Sequence, residues 1–309
     1  MNTQANAMNG TPLESQRVAP AVLAATQPFY WSVRRELWEN RAIYLAPLAA
    51  AGVFLVGFLI SSVRLASRMR AALALDAMHQ REKIAQPYDY AAGMIMLASL
   101  LVGLYYCIEA LQSERRDRSI LFWKSLPVSD RTTVLAKATV PLVIVPLLGW
   151  AITTVTQFVM LIVNSAALAG SGLSVATLWT QLSPFQMSLL LLYHLVTVHA
   201  LWQAPIYGWL LMVSAWARRA AFLWATVPLL AIGIAEKMAF GTSYFGGMIG
   251  NRFAGGPEAM PMSESFPTNP AMHLTPGHFL TSAGLWLGLA VTAAFLFAAV
   301  RLRRHRGPL

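Results

Sequence analysis

Six long apolar stretches, at about 43–62, 90–111, 138–166, 187–216, 220–235 and 279–300, constrain this 309-residue chain more than any other feature. A hydrocarbon core about 30 Å thick is crossed by about 20 apolar residues in a helix. Backbone groups that cannot meet water there must bond within their own segment, which leaves helices as the spanning element. The expected fold class is therefore all-α, a polytopic membrane protein with six transmembrane helices. Composition agrees: 57% of the residues are hydrophobic and only 12% are charged, against about 25% charged in ordinary soluble domains. A single cysteine, Cys107, excludes a disulfide framework and any all-cysteine metal cluster.

The formal charge of +10 would suggest nucleic acid as a partner of a soluble protein. Here the basic residues flank apolar runs, so they read as topology signals and no nucleic-acid partner is expected. With the N-terminus inside, the cytosolic pieces hold Arg17, Arg34, Arg35, Arg41, Arg115, Arg116, Arg118, Lys124, Arg131, Lys137, Arg218, Arg219, Arg301, Arg303, Arg304 and Arg306, the larger part of the 23 Lys and Arg. The expected orientation is N-in and C-in. The discordant piece is the first outer loop, with Arg64, Arg68, Arg70, Arg81 and Lys83, which Asp76, Glu82 and Asp89 only partly offset. Residues 1–27 lack the basic-then-apolar order of a cleaved signal and are expected to form a flexible cytosolic tail. Residues 302–309 read as a basic cytosolic tail, and 42–301 as the six-span transmembrane domain between them.

Just before the first span, 28–41 reads as an interfacial elbow helix. Pro28 suits a first helical turn. Tyr30, Trp31, Val33, Leu37 and Trp38 fall on one side of the wheel and Arg35, Glu36 and Glu39 on the other. Aromatic and basic residues on such a helix favour a position in the headgroup layer.

The inner loop 113–137 is the most informative segment. It begins with charge, presents Ile120-Leu121-Phe122-Trp123, breaks at Leu126-Pro127, and offers Ser129 or Asp130 as the N-cap of the next helix. Apolar residues on a hydrophilic loop are costly unless covered, either by the bilayer interface or by a partner. A large aromatic inside a rim of charge is how interface hot spots are commonly built.

Glu114-Arg115-Arg116-Asp117-Arg118-Ser119, followed by Phe122-Trp123-Lys124-Ser125-Leu126-Pro127-Val128-Ser129 and then Lys137, resembles the loop of type-2 ABC transporter permeases, in which an acidic-basic run precedes an SLPVS turn. Arg35-Glu36-Leu37-Trp38-Glu39 is similar to that family's N-terminal helix, and the six-span order extends the resemblance along the chain. The resemblance implies the transmembrane half of an ABC exporter, dimerised with a second copy or a paralogue and paired with a cytosolic ABC ATPase. It implies a coupling loop with Glu114, Arg115, Arg116, Ser119, Phe122, Trp123, Lys124 and Pro127. Phe122 and Trp123 would be its apolar anchor, with Arg115, Arg116 and Lys124 on the rim. It also implies an interfacial helix carrying Trp31, Arg34, Arg35, Glu36 and Trp38, and a possible outer gate at Glu236 and Lys237. The chain has no G-x-x-x-x-G-K-[ST], so ATP and Mg are expected on the separate ATPase, with no cofactor on this chain.

Other ionisable groups in the spans are few, and each is a candidate by default. His194 and His199, five residues apart, lie about 140° around an α-helix, so they are not expected to share a face. His273 and His278 repeat that spacing in a Pro/Gly-rich outer segment, 239–278, whose apolar start at 240–249 could re-enter the membrane. An intramembrane enzyme is disfavoured, since H-E-x-x-H, G-x-S-x-G and paired intramembrane aspartates are all missing. The competing reading is a non-transporting membrane scaffold or regulator with the same fold. The Ala- and Arg-rich composition points to a bacterial inner membrane, with membrane lipids as surroundings.

Overall fold

The computed structural model describes residues 26–125, 128–169, 174–255 and 276–305. Every regular element among them is helical. Of the expected tail at 1–27, residues 1–25 lie outside the described residues and Thr26 and Gln27 already belong to the first helix; Leu126, Pro127, His273, the end of the chain at 306–309 and the side chain of His278 also lie outside them.

The helices run α1 Thr26–Glu39, α2 Ala42–Ser62, α3 Leu65–Leu73, α4 Ala77–Glu109, α5 Gln112–Arg116, α6 Ser119–Ser125, α7 Asp130–Thr139, α8 Val145–Ala169, α9 Val175–Leu182 and α10 Pro184–His194. They continue as α11 Ala204–Trp216, α12 Ala221–Phe240, α13 Tyr244–Ala254, α14 Pro276–Thr281 and α15 Ala283–His305. Six stretches are long and apolar enough to cross a membrane: Ala42–Ser62, His79–Arg116, Asp130–Ala169, Leu178–Trp202, Ala221–Phe240 and Ala283–His305. Their outward surfaces are apolar, with Val53, Val56 and Ile60 of α2 and Leu230, Ile234 and Met238 of α12 all exposed. Such a band has no place in water and fits acyl chains. The chain is a multi-pass membrane protein.

Three of the expected spans differ in detail. The second span starts well before residue 90, because α4 is a 33-residue helix that absorbs much of the basic loop. The third is continuous from α7 to α8 through a π-helical turn, Val140–Ile144. Pro141 and Pro146 lack the N–H groups that an α-helix needs there, and the widened turn accommodates the loss. The fourth, expected as one helix over 187–216, is broken. α10 passes into a π-helical segment, Leu195–Trp202, then bends at Gln203 before α11. Pro205 cannot donate into the preceding turn, so the chain bends where that bond would have formed. The 13-residue α11 is about 20 Å long and too short to span alone.

Packing divides the core between the two ends of the bundle. At the end that carries α5 and α6, Ile43, Tyr106, Cys107, Val140, Tyr207 and Leu211 form one buried cluster. At the opposite end Phe58, Met69, Tyr88, Leu161, Leu178 and Met187 form another. α11 lies closest to α15 at Gly208, where an added Cβ would stand 3.3 Å from the Thr292 backbone. The turn from α11 to α12 is as short as expected, with Ala220 in the left-handed region at φ 51°. Trp216 and Trp224 meet edge to face across it, 4.7 Å between centroids.

Candidate functional site

The loop expected to carry function is itself two short helices, α5 and α6, joined at Asp117-Arg118. Arg118 sits in the left-handed region at φ 58°. A residue with a Cβ takes that conformation at a cost of about 1–3 kcal/mol, so the surrounding contacts must hold the turn. The N-cap falls on Ser129, whose hydroxyl accepts from the Thr132 backbone N–H at 3.1 Å. Asp130 is thereby free for another role.

That role is in a buried ion cluster beneath the loop. Lys137, 2% exposed, places Nζ 2.9 Å from Glu36 Oε1 and 3.0 Å from Glu114 Oε1. Arg35 bridges the same two carboxylates, at 2.6 Å to Glu36 and 3.1 Å to Glu114. Arg303 pairs with Glu114 and, at 3.0 Å, with Asp130. The Tyr106 hydroxyl donates to Glu36 Oε2 at 2.8 Å. Three cations thus face three carboxylates, drawn from α1, α5, α7 and α15. Burial alone would raise the Glu36 carboxyl, but the Lys137 ammonium and Arg35 guanidinium outweigh it and hold it below its ordinary value.

The loop is tied down on its other side too. Ser214 Oγ of α11 accepts from the Leu111 and Gln112 N–H groups, each at 3.0 Å. Arg115 donates to the Ala215 carbonyl at 2.9 Å and the Ala217 carbonyl at 3.3 Å, satisfying orphan acceptors at the end of α11. Glu114 and Arg115 therefore face inward; Arg115, at 4% exposed, is not on a rim. Arg116 remains exposed and pairs with Glu109 at 3.5 Å. Lys124 is exposed, while Ser119 bonds back to the Glu114 carbonyl.

The expected aromatic pair meets edge to face, 4.9 Å between centroids, but its two members differ in exposure. Trp123 is half-buried under the Arg35 guanidinium, 3.9 Å from the ring centroid, which binds α6 to α1. Phe122 and Leu121 are 59% and 58% exposed and form the outward tip, while Ile120 is buried beneath them. On α1, Trp31 and Trp38 face outward and flank Arg34, whose guanidinium lies 5.1 and 4.6 Å from their rings. Glu36, on the polar side of the wheel, is turned into the protein rather than toward water.

Sequence reasoning missed Arg303, Asp130 and Tyr106 as members of this cluster. The usable signal was charge bookkeeping: Lys137 lies against a long apolar run, and a lysine there demands carboxylate partners. Arg303 was read as part of a basic tail, yet α15 continues through His305 and buries it.

At the other end, Glu236 accepts from Thr242 Oγ1 at 2.8 Å and from the Tyr244 and Phe245 N–H groups at 2.7 and 2.8 Å. It caps α13 and sets the turn back from α12. Lys237 lies beside it without joining that cap. Arg252 of α13 donates to the Trp202 and Gly284 carbonyls and stacks on Trp202, so the apolar start of the outer segment docks on the fourth and sixth spans. The expected separation of His194 and His199 is overturned. The π-helical segment carries residues five apart to one face, and the two rings meet edge to face at 5.5 Å. Among the described residues no group of three or more His, Cys, Asp or Glu is placed to hold a metal ion.

No known family, curated protein or solved structure matches this chain.

Replacing Lys137 with Met leaves Glu36 and Glu114 buried beside each other and is expected to cost about 3–5 kcal/mol. Denaturation of the detergent-solubilised protein measures it, and adding Glu36→Gln to Lys137→Met is expected to recover part of the loss. Acid should weaken the wild type through the same group. Glu36 ionises more readily folded than unfolded, so its stabilisation is complete above the ordinary glutamate value of about 4.3 and disappears as pH falls through the lower folded value. Melting temperatures taken from pH 6 downward are expected to decline less steeply in Glu36→Gln.

Proposed function

We propose that this chain is the permease subunit of an ATP-driven ABC exporter, acting with a separate cytosolic ATPase that carries the ATP and Mg. The observation that carries this reading is the Leu121-Phe122 tip, an exposed apolar pair on an anchored helical loop that also exposes Arg116 and Lys124. Apolar side chains fixed at the centre of a charged rim are what a protein groove recognises. The chain lacks a phosphate-binding loop of its own, so the energy source is the partner.

In this reading the N- and C-termini are cytosolic, α1 lies in the headgroup layer of a bacterial inner membrane on its Trp31 and Trp38 face, and α5–α6 seat in the ATPase. A push on Phe122 reaches Trp123 and Arg35, and through Glu36, Lys137 and Arg303 it reaches α1, α7 and α15 together. The ion cluster thus converts a local displacement of the loop into a joint displacement of helices that enter three different spans. A second permease copy or a paralogue completes the pathway, and the turn capped by Glu236, beside Lys237, is its candidate outer gate.

Capture of the tagged chain from its native membrane, with mass spectrometry of what accompanies it, tests this. A P-loop ATPase is expected in the wild-type capture and is expected to be lost from Leu121→Ala/Phe122→Ala, whose melting temperature should match the wild type. That variant spares Trp123 and its contact with Arg35. An intact chain that brings no ATPase would favour the scaffold reading instead.

A further inference from the structure

The basic loop that sits awkwardly with N-in topology acquires a purpose at the end of the bundle opposite α5–α6. There α2, α3, α4, α8 and α9 enclose a cavity of about 80 Å³. A cavity must offer about 10–15 Å³ to hold one water, so this one holds a group several times larger. Arg68 and Lys83 stand on its lining and are exposed, and neither has an ion-pair partner among the described residues. The acids nearest them in sequence, Asp76 and Glu82, are not on the lining, and Asp76 is bonded to His79 at 2.6 Å.

The other polar atoms on the lining have a different character. Asn164 is 3% exposed and uses Nδ2 to donate to the Tyr88 hydroxyl at 2.9 Å, while its Oδ1 has no hydrogen-bond partner. Ser61 and Ser62 also line the cavity and have committed their hydroxyl protons to the Phe58 and Leu59 carbonyls. All three therefore offer acceptors. Two free cations ask for an anion; three acceptors ask for donors, which a fully ionised phosphate does not have. A buried acceptor left unpaired is unfavourable, so the ligand must bring hydroxyl groups. The rest of the wall is apolar, including Phe58 and Leu178.

We propose that this cavity binds a phosphate ester bearing hydroxyl groups, of the glycerophosphate kind carried by anionic membrane lipids. Arg68 and Lys83 hold the phosphate, Asn164 and the two serines accept from the hydroxyls, and the apolar wall lies along the attached chain. Arg68 and Lys83 of the first outer loop then serve a ligand, which accounts for two of the five basic residues that depart from the usual charge distribution.

The test uses the full purified chain with phosphatidylglycerol, phosphatidic acid, phosphatidylcholine and soluble glycerol 3-phosphate as probes, read by thermal shift and by lipid retained in native mass spectrometry. Phosphatidylglycerol is expected to stabilise the wild type more than phosphatidic acid, and phosphatidylcholine not at all. Arg68→Gln/Lys83→Gln should weaken that binding about tenfold or more, the loss of charge-assisted hydrogen bonds. Arg64→Gln/Arg70→Gln removes the same charge outside the cavity and should leave binding unchanged, and Asn164→Leu should erase the preference for phosphatidylglycerol over phosphatidic acid. Protection by glycerol 3-phosphate equal to that of the lipid, with the same loss in the Arg68/Lys83 variant, identifies the source as a soluble ester; protection by lipid alone identifies a headgroup. Equal losses in both double variants, or no preference over phosphatidylcholine, would overturn the proposal.

Discussion

A lysine that is 2% exposed must find carboxylates, and the arrangement of this protein's loop end follows from how Lys137 does so. Its partners Glu36 and Glu114 come from α1 and α5, and each of them needs more positive charge than one lysine supplies. Arg35 and Arg303 supply it, and Asp130 closes the charge balance. A buried ionic network gains little net stability over apolar packing, but breaking one member is expensive, so its main effect is to forbid other arrangements. Here it fixes the register of α1 on α7, the seat of α5 and the depth of the last turn of α15 at once.

The same constraint explains why the loop helices can be short. α5 has five residues and α6 seven, lengths that form no stable helix alone in water. Ser214 and Arg115 tie α5 to the end of α11, Arg35 clamps Trp123, and Ile120 is buried under α6. The apolar side chains left outward are Leu121 and Phe122, beside the exposed Arg116 and Lys124. At the opposite end, pairing is incomplete, with free cations at the cavity mouth and an unpaired amide oxygen on its lining.

The spans were legible because hydrocarbon imposes a length and a polarity that composition reports directly. The N-cap at Ser129 and the tight α11–α12 turn were legible for local reasons, since both depend on residues a few positions apart. The ion cluster was not. Glu36 and Lys137 are separated by 101 positions, and a helical wheel assigns a charged face to water by default. On the polar side of α1, Glu36 meets Lys137 and Tyr106 of other helices instead of water, while Glu39 stays exposed. The histidine pair was misread for a related reason: 100° per residue is a property of the α-helix, and the chain is π-helical from Leu195 to Trp202. The break before α11 was signalled by Pro205, yet the apolar run through it concealed the change of direction.

Site-specific photo-crosslinking from position 122 in the native membrane reports what covers the tip while leaving Trp123 and its contact with Arg35 in place. An adduct with a P-loop ATPase is expected, absent when the same photoreactive residue is placed at the exposed apolar position 60. Adducts at position 122 confined to lipid would contradict it, and would place the loop in the bilayer interface.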